Sequence, residues 1–409
     1  KIGTAAAASF AVGGVIALLV ALPTSELATA MPRSGGGYYF ISRGLGTLAG
    51  TVIGLSLWLG LVFATAFYLV GLGYYALDAL AQVGLAVGAG SDAVVSVIAV
   101  LAGVAFTVLN VTGTENAAKL QNGIVALLLS MLVAFLGFGL LEAFGLVAVD
   151  TPPGQAANVW GAGPVLSVAA LVFTSYLGFA QVATVAGEMK DPGRNLPLAM
   201  VGSVVTVTVL YVLTIFVATN IFTRDALLAA GETAMVEVGR ALLGPAGALV
   251  IIVGGLLATM SSANASILST SRAIYGVSKD ALLPRWASRI NLRYGTPHVA
   301  LGMAGGPVVV LAATGQVELL AEVASFLHLI MYGLMCVALV AIRRDRPAWY
   351  DPDFVVPGGP VIPVLGALAS FGLIAFMNRL SILVGIAVIA ATAGWYFYYA
   401  RDVSLKGAL

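Results

Sequence analysis

Residues 164–187, PVLSVAALVFTSYLGFAQVATVAG, are long and apolar enough to cross a lipid bilayer, yet polar residues occupy their middle. Thr174, Ser175 and Tyr176 carry hydroxyl groups, and Gly178 permits backbone geometry outside the helical range. Lipid offers no hydrogen-bonding partner, so these groups must face protein, water or a solute. The pattern predicts a discontinuous helix, unwound near Ser175 to Gly178. The alternative is an ordinary buried helix whose hydroxyls bond to its own preceding turn.

The composition of the 409-residue chain is that of a polytopic membrane protein. Hydrophobic residues make up 60% and charged residues 9%, with a mean hydropathy of +1.03. Soluble proteins, in contrast, carry roughly a quarter charged residues. The net charge of +1 gives no basis for nucleic-acid binding. The single cysteine, Cys336, excludes a framework of disulfide bonds within the chain.

Apolar runs long enough to cross about 30 Å of hydrocarbon occur at eleven places in the sequence. They lack the alternating pattern of a transmembrane barrel. The predicted fold class is therefore an all-α polytopic membrane protein. The runs are 5–31, 47–78, 93–111, 121–146, 164–187, 197–221, 241–270, 297–313, 320–342, 361–378 and 380–400.

Basic residues are concentrated in the loops on one side of this predicted topology. The opposite side holds only Lys1, Arg224, Arg240 and Arg379. By the positive-inside rule the crowded side is cytoplasmic. We expect an integral multi-pass protein of the plasma membrane with a cytoplasmic C-terminus. The residues of the crowded side are Arg33, Arg43, Lys119, Lys190, Arg194, Arg272, Lys279, Arg285, Arg289, Arg293, Arg343, Arg344, Arg346, Arg401 and Lys406.

Two runs, 47–78 and 241–270, are too long for one perpendicular crossing and must tilt or protrude. The run 241–270 is the third in a set of five spans between residues 164 and 342. The run 47–78 is only the second in a set of four spans between residues 5 and 146. The sets match as inverted repeats if one further helix precedes Lys1, an arrangement found in many secondary transporters. Inverted repeats require these long helices to run antiparallel. The predicted domains are a first repeat without its first helix (1–146), a second repeat (147–342) and a helical hairpin with a cytoplasmic tail (343–409).

Four stretches resemble the amino acid–polyamine–organocation (APC) superfamily, in its amino acid permease form. They are MPRSGGGYYFISRGLG (31–46), GFAQVATVAGEMKDPGRNLP (178–197), SSANASILSTSRAIYGVSKDALLP (261–284) and FVVPGGPVIPVLG (354–366). They follow the family's order and spacing and together cover nearly the whole chain. The resemblance implies a five-plus-five inverted-repeat core of the leucine-transporter type with two further helices. It also implies that the helix expected before Lys1 is the family's first.

The activity implied by this resemblance is secondary active transport of an amino acid or related small amine by alternating access. The implied substrate site includes backbone carbonyls facing the substrate amine, an aromatic gate at Phe173 or Tyr176, and pocket walls on the long helix 47–78. The wall residues could equally be packing residues. The predicted substrate-binding residues are Phe173, Thr174, Ser175, Tyr176, Gly178, Phe63 and Tyr68.

The resemblance also suggests a driving ion. Proton-coupled members carry a lysine on the fifth helix, at a position that corresponds to about Leu128 here, so that group is absent. Ser261 and Ser262 fall where sodium-coupled relatives place hydroxyl ligands, which predicts a possible sodium site and symport. The alternative is that these serines pack between helices and that transport is uncoupled exchange or is coupled through another proton-carrying group.

Three further ionisable positions lie within predicted spans. Glu26 is near the predicted cytoplasmic end of its span, and we expect a structural role in which it reaches water or Arg33. His328 lies deeper and is either satisfied by a neighbouring helix or part of a proton relay. Glu322 lies near the opposite, outer end and either snorkels to water or serves an outer vestibule.

Other function classes find little support in the sequence. No H-E-x-x-H, G-x-S-x-G or P-loop motif is present, so we do not expect an enzyme. The sequence is less consistent with a channel, because it has a polar break in one span and no ring of charged residues of the kind that lines an ion pore. A cation–chloride cotransporter of the same superfamily is the main alternative, because it carries a stretch similar to SSANAS (261–266).

Overall fold

The computed structural model of the chain consists of helices, with no β-strand among the residues that it describes. These are residues 2–32, 35–85, 91–112, 117–146, 160–222 and 224–405. The all-α prediction is therefore confirmed. Three of the basic residues on which the predicted orientation rests, Lys1, Arg33 and Lys406, lie outside the described residues.

The described residues form thirteen α-helices, numbered in chain order. They are α1 (Ala6–Ala30), α2 (Gly36–Leu45), α3 (Thr47–Gln82), α4 (Ser91–Thr112), α5 (Ala117–Ala143), α6 (Ala162–Val172), α7 (Pro192–Ile221), α8 (Arg224–Ala230), α9 (Ala234–Lys279), α10 (His298–Ala312), α11 (Val317–Asp345), α12 (Val361–Ile374) and α13 (Arg379–Trp395). A 3₁₀ helix, Phe173–Glu188, continues α6. Short 3₁₀ turns cover Gly3–Ala5, Gly231–Thr233 and Arg285–Ser288, and Tyr396–Ala400 is a π-helical turn.

Within the described residues, nine helical segments are long and apolar enough to cross a bilayer. The runs predicted at 297–313 and 361–378 form shorter apolar helices of 15 and 14 residues, α10 and α12. The prediction of full-length spans there is wrong. α10 ends at Ala312, before a turn in which Gly315 takes a positive φ of 65° that favours glycine.

The two long helices, α3 and α9, pack along each other in opposite directions. A Cβ added at Gly54, near the start of α3, would meet Val277 near the end of α9. Near the other end of α3, Tyr75 lies against Gly255, a Cβ of which would lie 2.5 Å from the tyrosine ring. Small residues permit this close approach, as in other membrane helix pairs. The antiparallel direction agrees with the predicted inverted repeats, which as a whole stay a prediction.

α9 is not a single straight rod. Leu243 and Gly244 leave helical geometry inside it, with φ of 63° at the glycine, immediately before Pro245. Proline lacks the N–H that would continue the helix and so fixes the kink there. The uninterrupted part, from Pro245 to Lys279, is close in length to α3.

Equivalent helices of the two predicted halves also contact each other, α1 with α7 and α4 with α10.

The basic end of the bundle is the end where α1, α9 and α11 finish and α3 begins. Arg43 of α2 donates to Asp280 at 2.7 Å, and Tyr38 donates to the same carboxylate at 2.5 Å. This joins α2 to the end of α9. Burial, together with the hydrogen bond to Asp280, raises the pKa of Tyr38 well above its usual value.

A second ionic cluster joins α1, α11 and the following loop at this end. Glu26 is fully buried, and Arg343 donates to its carboxylate through Nε at 2.7 Å and through Nη2. The Tyr350 hydroxyl and the Val356 N–H, the latter at 2.6 Å, donate to it as well. The structural role expected of Glu26 is confirmed. Its expected access to water is wrong, because the carboxylate is enclosed by these donors; Arg33 lies outside the described residues.

Candidate functional site

The α-helical part of the span 162–188 ends at Val172, one residue before the FTSYLGF stretch. The predicted interruption of the α-helix is thus confirmed, whereas the predicted unwinding is wrong. The chain winds more tightly, as a 3₁₀ helix of 16 residues. Runs of 3₁₀ helix longer than about four residues are uncommon and often mark functional hinges.

Hydroxyl groups from neighbouring helices bind the backbone of this segment. Tyr211 of α7 donates to the carbonyl of Ser175 at 3.1 Å, and Tyr332 of α11 donates to the carbonyl of Leu177 at 3.0 Å. In an α-helix these carbonyls would accept from the N–H groups four residues later. Insertion of a side chain into that ladder is a known cause of helix distortion. The two tyrosines therefore account for the altered winding near the middle of the span.

Thr174 anchors the 3₁₀ helix to α11. Its hydroxyl donates to the carbonyl of Ala321 at 2.6 Å and lies 2.5 Å from the hydroxyl of Ser325. All three residues are buried. The threonine hydroxyl, which lipid could not satisfy, is thus satisfied by a neighbouring helix.

Aromatic rings pack around the same segment. Phe173 is fully buried, with its ring centroid 6.1 Å from those of Tyr176 and Tyr332, and Phe179 lies 5.1 Å from Tyr332. Such separations are typical of favourable aromatic pairs. Tyr176 also donates to the carbonyl of Phe10 in α1 at 2.7 Å. The ring cluster fixes the 3₁₀ helix between α1 and α11.

A cavity of about 350 Å³ lies between the 3₁₀ helix, α2, α3, α9 and α11. It reaches from His328, in the middle of α11, to Lys279 at the basic end. Its volume lies in the range of small-molecule sites. The lining residues are Gly35, Gly37, Leu57, Leu61, Leu177, Ala180, Gln181, Ser269, Arg272, Ala273, Tyr275, Gly276, Lys279, His328 and Met331.

The charge of this cavity is positive at its mouth. Arg272 and Lys279 line it there, and the Lys279 ammonium lies 4.8 Å from the centre of the Tyr275 ring. No acidic side chain is among the described residues of the lining. Deeper inside, the hydroxyl of Ser269 donates to Gln181 Oε1 at 3.3 Å. Such a mouth favours entry of a solute that carries a carboxylate.

The predicted site residues lie in places other than the 350 Å³ cavity. Ser175, Tyr176 and Gly178 line a second cavity of about 250 Å³ against α7, whereas Phe173 and Thr174 are buried against neighbouring helices. Phe63 is buried in the core, and the half-buried Tyr68 lies 5.5 Å from Phe67 by ring centroids. None of the predicted residues lines the 350 Å³ cavity. Their substrate-binding role stays a prediction.

Four polar or charged residues line this cavity but are not among the predicted site residues, namely Gln181, Ser269, Arg272 and Lys279. One signal was present, because Gln181 is a polar residue three positions after Gly178 in an otherwise apolar stretch. In the sequence, the two basic residues indicate only the orientation of the chain in the membrane. For His328 the sequence predicts packing against a neighbouring helix or a part in a proton relay, and no place in a substrate cavity.

The predicted sodium ligands lie on α9 away from the 350 Å³ cavity. Ser261 and Ser262 are half-buried, and one turn further along Asn264 accepts a hydrogen bond from Asn110 at 2.7 Å. Leu128 lies against Gly254, about two turns before the serines. No group of three or more His, Cys, Asp or Glu residues capable of holding a metal ion occurs in the described part of the chain. Sodium would use hydroxyl and carbonyl oxygens instead.

Comparison with known proteins defines the class of this chain. The family model for amino acid permeases matches residues 1–400, so the chain belongs to the amino acid permease family. It is a multi-pass membrane transporter and not an enzyme. This match supports the permease interpretation over a cation–chloride cotransporter.

Individual relatives are similar over nearly their whole length. The chain is 28% identical to the branched-chain amino acid permease BcaP of Bacillus subtilis, covering 97% of this chain and 86% of the relative. It is 26% identical to the serine/threonine exchanger SteT of the same organism, covering 95% and 86%. The methylthioribose transporter of B. subtilis is also 26% identical, covering 98% and 87%.

Proposed function

We propose that this protein carries a neutral amino acid with a small aliphatic side chain across the membrane by alternating access. The observation that carries this proposal is the 350 Å³ cavity, which runs from the middle of the bundle to the basic end. Its walls combine apolar side chains, such as Leu57, Leu61 and Met331, with few polar groups. That combination suits an aliphatic side chain on a polar backbone fragment.

The open mouth at the basic end supports an inward-facing state in this structure, if that end is cytoplasmic. Arg272 and Lys279 would then attract the carboxylate of the substrate. The name of the relative BcaP, a branched-chain amino acid permease, is consistent with an aliphatic substrate. The name of SteT instead suggests exchange of hydroxylated amino acids, which the Gln181–Ser269 pair could accommodate.

The 3₁₀ helix is the element we propose to change during transport. Ser175 and Gly178 are exposed on the side of the second cavity, so their backbone remains accessible to a solute. We keep the prediction that backbone groups of this stretch contact the substrate in another state of the cycle. Sodium coupling through Ser261 and Ser262 stays a proposal as well, with uncoupled exchange or coupling through another proton-carrying group as its alternatives.

Transport by purified protein in liposomes tests the proposal. We expect uptake of labelled leucine above that of protein-free liposomes, with competition by valine and isoleucine. Preloading with unlabelled leucine separates exchange from net uptake. The proposal fails if none of these amino acids is taken up or competes. Stronger competition by serine and threonine would favour the substrate class named for SteT.

Orientation is tested separately by labelling single cysteines. Cys336 is buried and is the one cysteine of the sequence, so a Cys336→Ala background suits the experiment. A cysteine placed at Arg401, near the C-terminal end, should react with a membrane-impermeant maleimide only after cells are opened. Reaction in intact cells would contradict the predicted cytoplasmic C-terminus.

A further inference from the structure

His328 is one of the residues that line the inner part of the 350 Å³ cavity. Only 2% of the residue is exposed. Gly60 of α3 lies directly beside the ring, since a Cβ there would lie 3.0 Å from Cε1 and 3.1 Å from Nδ1. On its other side the ring centroid lies 6.1 Å from that of Tyr332. The imidazole is therefore held in one orientation by the helices around it.

The hydrogen bond at Nδ1 decides which ring nitrogen carries the proton. Nδ1 lies 2.8 Å from the carbonyl oxygen of Ala324, one turn earlier in α11. A carbonyl oxygen can only accept, so Nδ1 must donate. Complete burial without an acidic group among the described lining residues favours the neutral imidazole. In that form Nε2 presents a lone pair and acts as an acceptor.

Nε2 has no hydrogen-bonding partner among the protein groups that the structure describes. A buried acceptor without a partner is costly, and such groups in native proteins usually serve a ligand, an ion or ordered water. The other polar groups deep in the cavity, Gln181 and Ser269, are bonded to each other instead. His328 thus combines a fixed tautomer, a place in the cavity wall and a buried Nε2 that no described protein group satisfies.

We infer that His328 binds the substrate, with Nε2 accepting a hydrogen bond from its α-ammonium group. This inference rests on the proposed function, because it takes the substrate to be an amino acid. A neutral acceptor fits this role: it recognises a donor without adding a permanent negative charge to a cavity whose mouth attracts carboxylates. His328 would then distinguish amino acids from otherwise identical carboxylic acids that lack the amine.

Ligand binding by the purified full chain tests this specificity. Leucine and its deaminated analogue 4-methylpentanoate are compared in the wild type and in His328→Leu and His328→Gln. A hydrogen bond to a charged donor corresponds to roughly ten- to hundred-fold in affinity. We expect His328→Leu to lose about that factor for leucine and little for 4-methylpentanoate. His328→Gln, which keeps an acceptor, should recover part of the preference, and His298→Gln should behave as the wild type.

Nitrogen NMR of histidine-labelled protein gives a direct second measurement. The sequence contains two histidines, so His298→Gln leaves the imidazole of His328 as the one observed. Its spectrum should show protonated Nδ1 and unprotonated Nε2, and leucine should shift the Nε2 signal whereas 4-methylpentanoate should not. A protonated Nε2, or an unchanged leucine preference in His328→Leu, would overturn the inference while transport stands. A wild type that binds no amino acid would overturn the proposed function itself.

Discussion

Replacement of Glu26 by glutamine should destabilise the protein more than any comparable change of a surface acid. The substitution keeps the shape of the side chain but removes the charge opposite Arg343. It also sets an amide group against donors, which include the Tyr350 hydroxyl and the Val356 N–H. Arg343 also donates to the carbonyl of Gly359 at 2.5 Å, so the loop after α11 depends on the same cluster.

The magnitude follows from the burial of the pair. Loss of one partner from a buried ion pair costs about 3–5 kcal/mol. Glu26 is fully buried but the Arg343 side chain is 19% exposed, so water relieves part of the penalty and we expect about 3 kcal/mol. An unfolding entropy of about 2.1 cal/mol/K per residue then gives a fall in Tm of about 3 °C for this chain. Detergent preserves helices and reduces that entropy, so the fall should be at least this large.

The assay is thermal unfolding of the purified variants in one detergent. Glu237→Gln is the matched control, because Glu237 pairs with Arg240 at 3.3 Å on the surface, where both side chains are more than 40% exposed. Such surface pairs contribute about 0–1 kcal/mol. The double variant Glu26→Gln with Arg343→Gln should recover part of the loss, because no unpaired charge remains. If Glu26→Gln melts within 1 °C of Glu237→Gln, the reasoning is refuted.

Three other predictions concern the 3₁₀ helix, the ion and pH. Thr174→Val should lower stability by about 1–2 kcal/mol in the same melts, because Ser325 and an α11 carbonyl lose their buried partner; an unchanged Tm would mean that these bonds contribute nothing. Replacing sodium by choline should abolish leucine uptake, and Ser262→Ala should raise the sodium concentration required; equal uptake in choline would remove sodium from the mechanism. The raised pKa of Tyr38, caused by burial and then by Asp280, gives stability that is present below about pH 10 and lost as pH rises further. In thermal melts between pH 8 and 11, the Tm of Tyr38→Phe should fall less with rising pH than the Tm of the wild type. Identical plots of Tm against pH would contradict this assignment.

Most of the spans, and the interruption of the span 164–187, follow from the sequence because they depend on local properties; α10 and α12 are shorter than their apolar runs predict. Apolar length identifies helices, and a glycine with adjacent hydroxyls at mid-span identifies the interruption found after Val172. The 3₁₀ winding was not predictable, because Tyr211 and Tyr332 come from distant parts of the chain. Their pairing with particular carbonyls is a property of packing and leaves no pattern in one sequence.

That winding also explains why the site prediction and the larger cavity differ. A 3₁₀ helix repeats every three residues, so residues three apart share a face. Leu177 and Ala180 face the larger cavity, whereas Ser175 and Gly178 face the second one. Between Ser175 and Ala180 the polar residues that suggested a site thus face the second cavity, whereas Gln181, although three positions after Gly178, lines the larger one.

The 3₁₀ helix also has a mechanical consequence. A residue rises about 2.0 Å in a 3₁₀ helix and about 1.5 Å in an α-helix. Rewinding the 16 residues of Phe173–Glu188 into an α-helix would shorten them by about 8 Å. One end of the segment would thus move by about the length of a small amino acid, without a break in the helix. Such rewinding would draw the Glu188 end towards Phe173 along the helix axis.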